Sequence, residues 1–268
     1  MPSVREITSL LEDFAPLSLQ ENYDNAGLLC GDPNAEVHSI LLTLDITEEV
    51  IDEAIRDKHN LIISHHPLIF QSIKKLLPDT PEKRCLIKAI RHELNIYSAP
   101  TNLDSVFSGV SGRMADKLGL INRTILQPSE KTIYAEPSHP TTGYGIIGDL
   151  PSSVDSLEFL HRIKSAFQCS DVRHSAICKE KVQRIALCGG SGAFLIPTAI
   201  AQSADLFLIG ECKYHDFFQA DNRLIIADIG HYESEQYTKE IFYELVTKKI
   251  PNFAIQFSMV NTNPIHHI

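Results

Sequence analysis

The 268-residue chain is long enough to bury a sizeable core, as one large domain or two modest ones. Hydrophobic residues at 43% and charged residues at 22% are ordinary for a globular protein, so disorder is expected only at the ends. The formal net charge of −10 argues against general nucleic-acid binding, which needs a basic surface, but leaves a nucleotide open as substrate because bound metal ions supply local positive charge. No run of about 18 apolar residues suggests a membrane span, and Met1 to Ile7 lacks the apolar stretch of a signal peptide. Cys30, Cys85, Cys169, Cys178, Cys188 and Cys212 form no C-x-x-C pair, and several sit in apolar runs, which fits a reduced cytoplasm better than a disulfide framework.

Ser3 and Glu6 make a capping-box pattern ahead of Val4, Ile7, Leu10, Leu11 and Phe14 at helical spacing, with Pro16 ending the helix nearby. A polar turn at 22–27 leads into Leu28. Ile40–Leu44 and Leu61–Ser64 read as buried strands, separated by a helix that Thr47 caps and Glu48 and Glu49 favour in its first turn. Thr80-Pro81 opens a helix through Leu94, Ile96–Ala99 is a strand, and a glycine-interrupted helix covers Val110–Leu118. This alternation predicts a mainly parallel sheet covered by helices. From Asn122 to Thr142, prolines 128, 137 and 140 break short strand candidates, and a domain boundary is expected near residue 125. Gly143–Leu150, Asp171–Cys178, Val182–Cys188, Leu206–Ile209 and Leu224–Ile229 read as strands. Ser153–Phe167, a segment up to Gln202 and a long amphipathic stretch after Gly230 read as helices. A faint echo between the strand ending at His65-His66 and that ending at Glu211 is no more than two βαβ units show by default.

His65 and His66 follow directly on a strand. Neighbouring strand residues point to opposite faces, but past the strand end, at Pro67, both rings can reach one crevice and hold two ions. A chance pair in a loop is the plain alternative. His231 and Glu235, four apart, share one helical face one turn apart, as a nitrogen and a carboxylate ligand would; a solvated i,i+4 pair is equally ordinary. Asp104 follows a strand in a position where Asp also caps turns. All three sites lie just after strands, where open α/β sheets bind ligands. Three imidazoles and two carboxylates suit paired Zn, Mn or Fe ions, which activate a water between them.

The stretches Tyr23-Asp-Asn-Ala-Gly-Leu-Leu, Leu44-Asp-Ile-Thr, Ile63-Ser-His-His-Pro-Leu-Ile-Phe, Thr101-Asn-Leu-Asp104 and Gly230-His-Tyr-Glu-Ser-Glu235 occur in this order along nearly the whole chain. Together they resemble the YbgI/YqfO-like family, also called NGG-one-interacting-factor-three-like and filed as GTP cyclohydrolase 1 type 2 homologues. The resemblance implies a dinuclear site ligated by His65, His66, Asp104, His231 and Glu235, with Glu235 bridging. It implies two interlinked α/β domains with mixed sheets flanked by helices, the metal site in the crevice between them, and a ring-shaped homohexamer. Tyr23 stands where the family usually carries Trp, and the middle is too short for the inserted domain of longer members.

Asn25 and Asp45 are expected as substrate-binding or ligand-supporting groups, with turn capping the alternative. His215 and Glu211, after a strand, are expected to move protons, with a helix-entry histidine of no chemistry the equal alternative for His215. Gly189-Gly-Ser-Gly-Ala193 reads as a tight turn, as an anion seat at a helix start, or as a nucleophile elbow with Ser191, Asp228 and His231 in triad order. The expected domains are 1–124 plus 230–268, which binds the metal, and 125–229. The expected function is metal-assisted hydrolysis of a small heterocyclic or phosphorylated metabolite, with GTP ring opening implied by the family label: a metal-activated water attacks the guanine imidazole carbon. A phosphoesterase, a non-enzymatic metal-binding or regulatory assembly protein and a serine hydrolase are the rivals.

Overall fold

A computed structural model describes residues 1–129 and 141–268. In chain order the elements are α1 (Val4–Phe14), β1 (Gly27–Cys30), β2 (Ile40–Thr43), α2 (Glu48–Arg56), β3 (Leu61–Ser64), α3 (Pro81–Arg91), β4 (Asn95–Ser98), α4 (Thr101–Asp104) and α5 (Val110–Leu118). They continue with β5 (Ile121–Pro128), β6 (Gly143–Asp155), α6 (Ser156–Phe167), β7 (Arg173–His174), β8 (Lys181–Cys188), α7 (Ile196–Ala201), β9 (Leu206–Ile209) and β10 (Ile225–Asp228). The last are α8 (His231–Glu235), α9 (Thr238–Lys249) and β11 (Ile255–Phe257). Of the prolines expected to break strands, Pro128 ends β5, whereas Pro137 and Pro140 lie outside the described residues.

Two compact units form. The first comprises Met1–Leu103 and Thr238–His266, the second Asp104–Tyr237 and His267–Ile268. The division thus falls just before Asp104 and just after Glu235, whereas the sequence placed a boundary near residue 125 and gave 230–268 wholly to the first domain. The difference has a packing cause. The apolar face of α5 covers the second sheet through Met114, Ala115 and Leu118, and α8 packs against α5.

In the first unit the sheet order is β1-β4-β3-β2-β11, parallel except for β1 at its edge. Its strands read as continuous apolar runs because both faces are covered. On one side Val50, Ile51 and Ala54 of α2 and Cys85, Leu86 and Ala89 of α3 pack on Leu41, Ile62 and Ile96. On the other, α9 packs against β2 and against α1, where Val4, Ile7 and Leu11 are buried. The start of α1 is fixed as the sequence predicts: Glu6 N–H donates to Ser3 Oγ, while the Glu6 carboxylate accepts from Ser3 N–H at 2.7 Å.

The second unit has the order β5-β6-β8-β9-β10-β7, parallel through β8, β9 and β10 and antiparallel elsewhere. Alternation along β9 sorts its side chains: Leu206 and Leu208 join the core beneath α5 and α6, while Phe207 and Ile209 join the core beneath α7. Several expected boundaries shift, and the strand expected over Asp171–Cys178 shortens to Arg173–His174. Strand β6 runs to Asp155, because a bulge between Asp149 and Val154 absorbs Pro151 and the pairing then resumes against β8. Helix α6 starts at Ser156 and not at Ser153, with Asp155 as its cap accepting from Leu157 and Glu158 N–H, both at 3.0 Å. The long helix expected after Gly230 is broken into α8 and α9 at Gln236-Tyr237, where the Tyr237 ring is held by Phe167 and by the Lys117 ammonium. Among the described residues, no helix is long and apolar enough to cross a membrane.

Candidate metal centre

In the first unit, β3 ends at Ser64 and the chain turns. Ser64 Oγ donates to the His66 carbonyl at 2.8 Å, and His66 N–H donates to the Leu44 carbonyl at 3.0 Å. The regular alternation of the strand therefore stops where the histidines begin, and their ring centroids lie 4.8 Å apart. His65, 1% exposed, donates its Nδ1–H to the Ala99 carbonyl at 2.9 Å. His66 Nδ1 donates to Asp45 Oδ1 at 2.7 Å. A carbonyl and a carboxylate can only accept, so each ring carries a proton on Nδ1, and Nε2 is the nitrogen that could serve as a ligand. Ring-nitrogen partners of this kind orient metal-ligating histidines. Burial pushes the Asp45 carboxyl up, but the hydrogen bond and charge of His66 and the Thr262 hydroxyl outweigh it and hold the group below its usual range. Asp45 thus supports His66, as the sequence allowed.

Asp24 caps the turn that ends at Asp104, accepting from Thr101 N–H at 3.1 Å and Thr101 Oγ1 at 2.6 Å. Asn25 Nδ2 donates to the Ile69 carbonyl at 2.6 Å and so ties the first motif to the loop following Pro67. A cavity of about 430 Å³ opens beside His66, lined by Asp45, Glu48, Glu49, Pro67, Glu82 and Arg84 among others.

In the second unit, α8 carries His231 and Glu235 on one face as their spacing predicts, with His231 Nε2 3.1 Å from Glu235 Oε2. His231 Nδ1 donates to Glu211 Oε2 at 3.1 Å, and Ser191 Oγ donates to the same oxygen at 2.8 Å. Those two hydrogen bonds hold the Glu211 carboxyl below its usual range against the opposing effect of burial. The half-buried Cys188 thiol is pushed up, first by loss of solvent and then by the charges of Asp104 and Glu235.

The glycine turn receives a different role from the two sharper ones considered. Gly190 has φ +57°, and its N–H donates to Ser234 Oγ at 3.0 Å, so it is not open to an anion. A Cβ on Gly210 would lie 2.3 Å from that same Ser234 Oγ. These glycines let two strand ends close onto α8. The triad order also dissolves: buried Asp228 accepts from Arg173, from Cys212 N–H at 2.8 Å and from Gly230 N–H at 3.0 Å, while Ser191 donates to Glu211. His215 sits exposed on a 3-10 turn between Tyr214 and Phe218, with ring centroids 5.1 and 6.2 Å away.

The family model of Duf34/NIF3 (NGG1p interacting factor 3) matches residues 2–264. The chain belongs to this family. A Clostridium acetobutylicum relative named GTP cyclohydrolase 1 type 2 homolog is 35% identical over 234 residues, covering 87% of this chain and 85% of its own. A Staphylococcus aureus crystal structure superposes with a TM-score of 0.88 at 30% identity, covering 100% of this chain and 99% of that one. A Bacillus cereus protein related to NIF3 superposes with a TM-score of 0.89 at 25% identity, with coverage of 100% and 99%. Within this NIF3-family chain, the first unit offers the paired imidazoles of His65 and His66, and the second offers His231 and Glu235 on one helical face, donor types that suit a metal ion. Ala99, Thr262 and Ser234 were given no role in the sequence. Ala99 acts through its carbonyl, and the others meet their partners only across long stretches of chain.

Proposed function

We propose that this NIF3-family protein is a metal-dependent hydrolase in which His65, His66, Asp104, His231 and Glu235 hold two divalent ions. One observation carries the reading: all three imidazoles have Nδ1 engaged by an oxygen acceptor, namely the Ala99 carbonyl, Asp45 and Glu211. Rings whose Nδ1 is engaged in this way are the usual outer support of a metal site. The nitrogen and carboxylate donors fit Zn, Mn or Fe. Two such ions, when bound, lower the pKa of a water and stabilise charge developing at the attacked centre.

The residues of the chain then position and select. Asp45 and Glu211 fix His66 and His231. The cavity beside His66 offers the carboxylates of Glu48, Glu49 and Glu82, while Arg84 is paired with Glu48 at 2.8 Å. That lining suits the N–H donors of a heterocycle better than a phosphate ester, which favours ring hydrolysis over phosphoester cleavage. The name of the Clostridium acetobutylicum relative makes GTP the first substrate to examine. Glu211 and exposed His215 are the candidates for moving protons. A homohexamer and a reducing, cytoplasmic setting complete the proposal, the latter supported by six free cysteines.

The test is elemental analysis of untagged protein beside His66→Ala and Glu235→Ala, followed by assays of GTP opening and of inorganic phosphate release. About two ions per chain, lost in both variants, with loss of guanine absorbance on turnover, is the expected result. No metal uptake after incubation with Zn, Mn and Fe would end the metal reading. Full occupancy with no turnover would favour a regulatory metal-binding role, and phosphate release alone would favour the phosphoesterase.

A further inference from the structure

After β11 the chain does not simply trail away. Ser258 N–H donates to the Leu42 carbonyl at 2.8 Å, extending the contact with β2. Glu53, 1% exposed, then accepts from Met259 N–H at 2.9 Å and from the Ser258 hydroxyl. A buried carboxylate is stable only when its oxygens are satisfied, so this anchor is a built feature of the first unit. Four residues on from Ser258, Thr262 Oγ1 donates to Asp45 Oδ2 at 2.7 Å. The other oxygen of that carboxylate, Oδ1, accepts from His66 Nδ1 at 2.7 Å.

We propose that Thr262, through Asp45, is a positioning residue for His66, so that the C-terminal segment forms part of the support of the metal site. The proposal rests on the metal reading only for its purpose; the hydrogen-bond relay itself belongs to the first unit alone. A carboxylate held at one oxygen can still turn about its last torsion, because that torsion is broad. Held at both oxygens, Asp45 has its plane fixed and keeps Oδ1 aimed at the imidazole. The hydroxyl must be the donor, since the carboxylate can only accept. His66 then keeps its proton on Nδ1 and its lone pair on Nε2, the nitrogen an ion would use. Without Thr262, Oδ2 turns to water and the ring loses its fixed orientation.

The relay is tested with Thr262→Val, which keeps the shape and removes the donor, and Thr262→Ser, which keeps the donor. Thr262→Ala removes the donor without adding bulk, should Val disturb packing. The first readout is metal-free: histidine nitrogen NMR of the imidazoles. His66 is expected as the Nδ1–H tautomer in the wild type and Thr262→Ser, and as a tautomer mixture in Thr262→Val and Thr262→Ala. The second is zinc affinity by chelator competition, expected to fall about tenfold in Val and Ala and to be restored in Ser. A His66 tautomer unchanged in Val and Ala, or a Ser variant that behaves like Val, would overturn the relay. Failure of the wild type to take up zinc would instead overturn the metal reading, with the tautomer signal still deciding the role of Thr262.

Discussion

A Cβ placed on Gly190 would lie 2.3 Å from Glu235 Oε1 and 3.3 Å from His231 Nε2. The position also has φ +57°, which L side chains occupy at a cost of about 1–2 kcal/mol. Gly190→Ala is therefore expected to lower stability by about that amount and to push the Glu235 carboxylate aside. Chemical denaturation would read the first effect, and metal titration, expected to show weaker binding, the second. Unchanged binding would mean that Glu235 can turn away freely or is no ligand.

Glu211→Gln keeps size but removes the charge that holds His231 Nδ1–H and the Ser191 hydroxyl. Loss of an outer carboxylate of this kind typically weakens metal affinity by about 10–100-fold. Competition against a zinc chelator should show that loss while the circular dichroism spectrum stays that of the wild type.

Ser191 donates to a carboxylate and, among the described residues, has no imidazole as hydrogen-bond partner to take its proton, so its oxygen is not activated. A fluorophosphonate probe is expected to leave Ser191 unlabelled, and Ser191→Ala to retain activity near the wild-type level. Stoichiometric labelling at Ser191 would revive the serine-hydrolase alternative.

Asp205, at the start of β9, accepts from Lys179 Nζ at 2.7 Å, Arg184 N–H at 2.8 Å and Gln183 N–H at 2.9 Å. Burial raises its carboxyl, but these three donors outweigh burial and hold it below the usual range. A depressed folded pKa stabilises the fold above the unfolded value, near 4, and that stability is lost as pH falls through the folded value. Asp205→Asn should cost about 2 kcal/mol in urea unfolding at pH 7. The gap between variant and wild type should narrow steadily below about pH 4.

Much of this was legible from short stretches of sequence. The capping box of α1, the threonine caps of α2 and α3 and the buried runs of β2, β3 and β9 depend on neighbours within one or two turns of chain. So does the i,i+4 placement of His231 and Glu235. Less visible was the break between α8 and α9, because helical periodicity continues through Gln236 and Tyr237 while packing separates the two halves. The strand past Pro151 was hidden for a similar reason: a proline ends local pairing, and only the β8 partner restores it.

The sequence by itself determined the α/β class and most elements, and it nominated candidate metal ligands, since residue type, spacing and capping are local properties. Tertiary structure alone decided which oxygen fixes each imidazole and why Gly190 must be glycine. Thr262 and Asp45 stand 217 positions apart, and Gly190 and Ser234 stand 44 apart. A hydrogen bond across such a separation leaves no periodic trace, because its geometry arises only when folding closes the intervening loop and offsets the entropy of doing so.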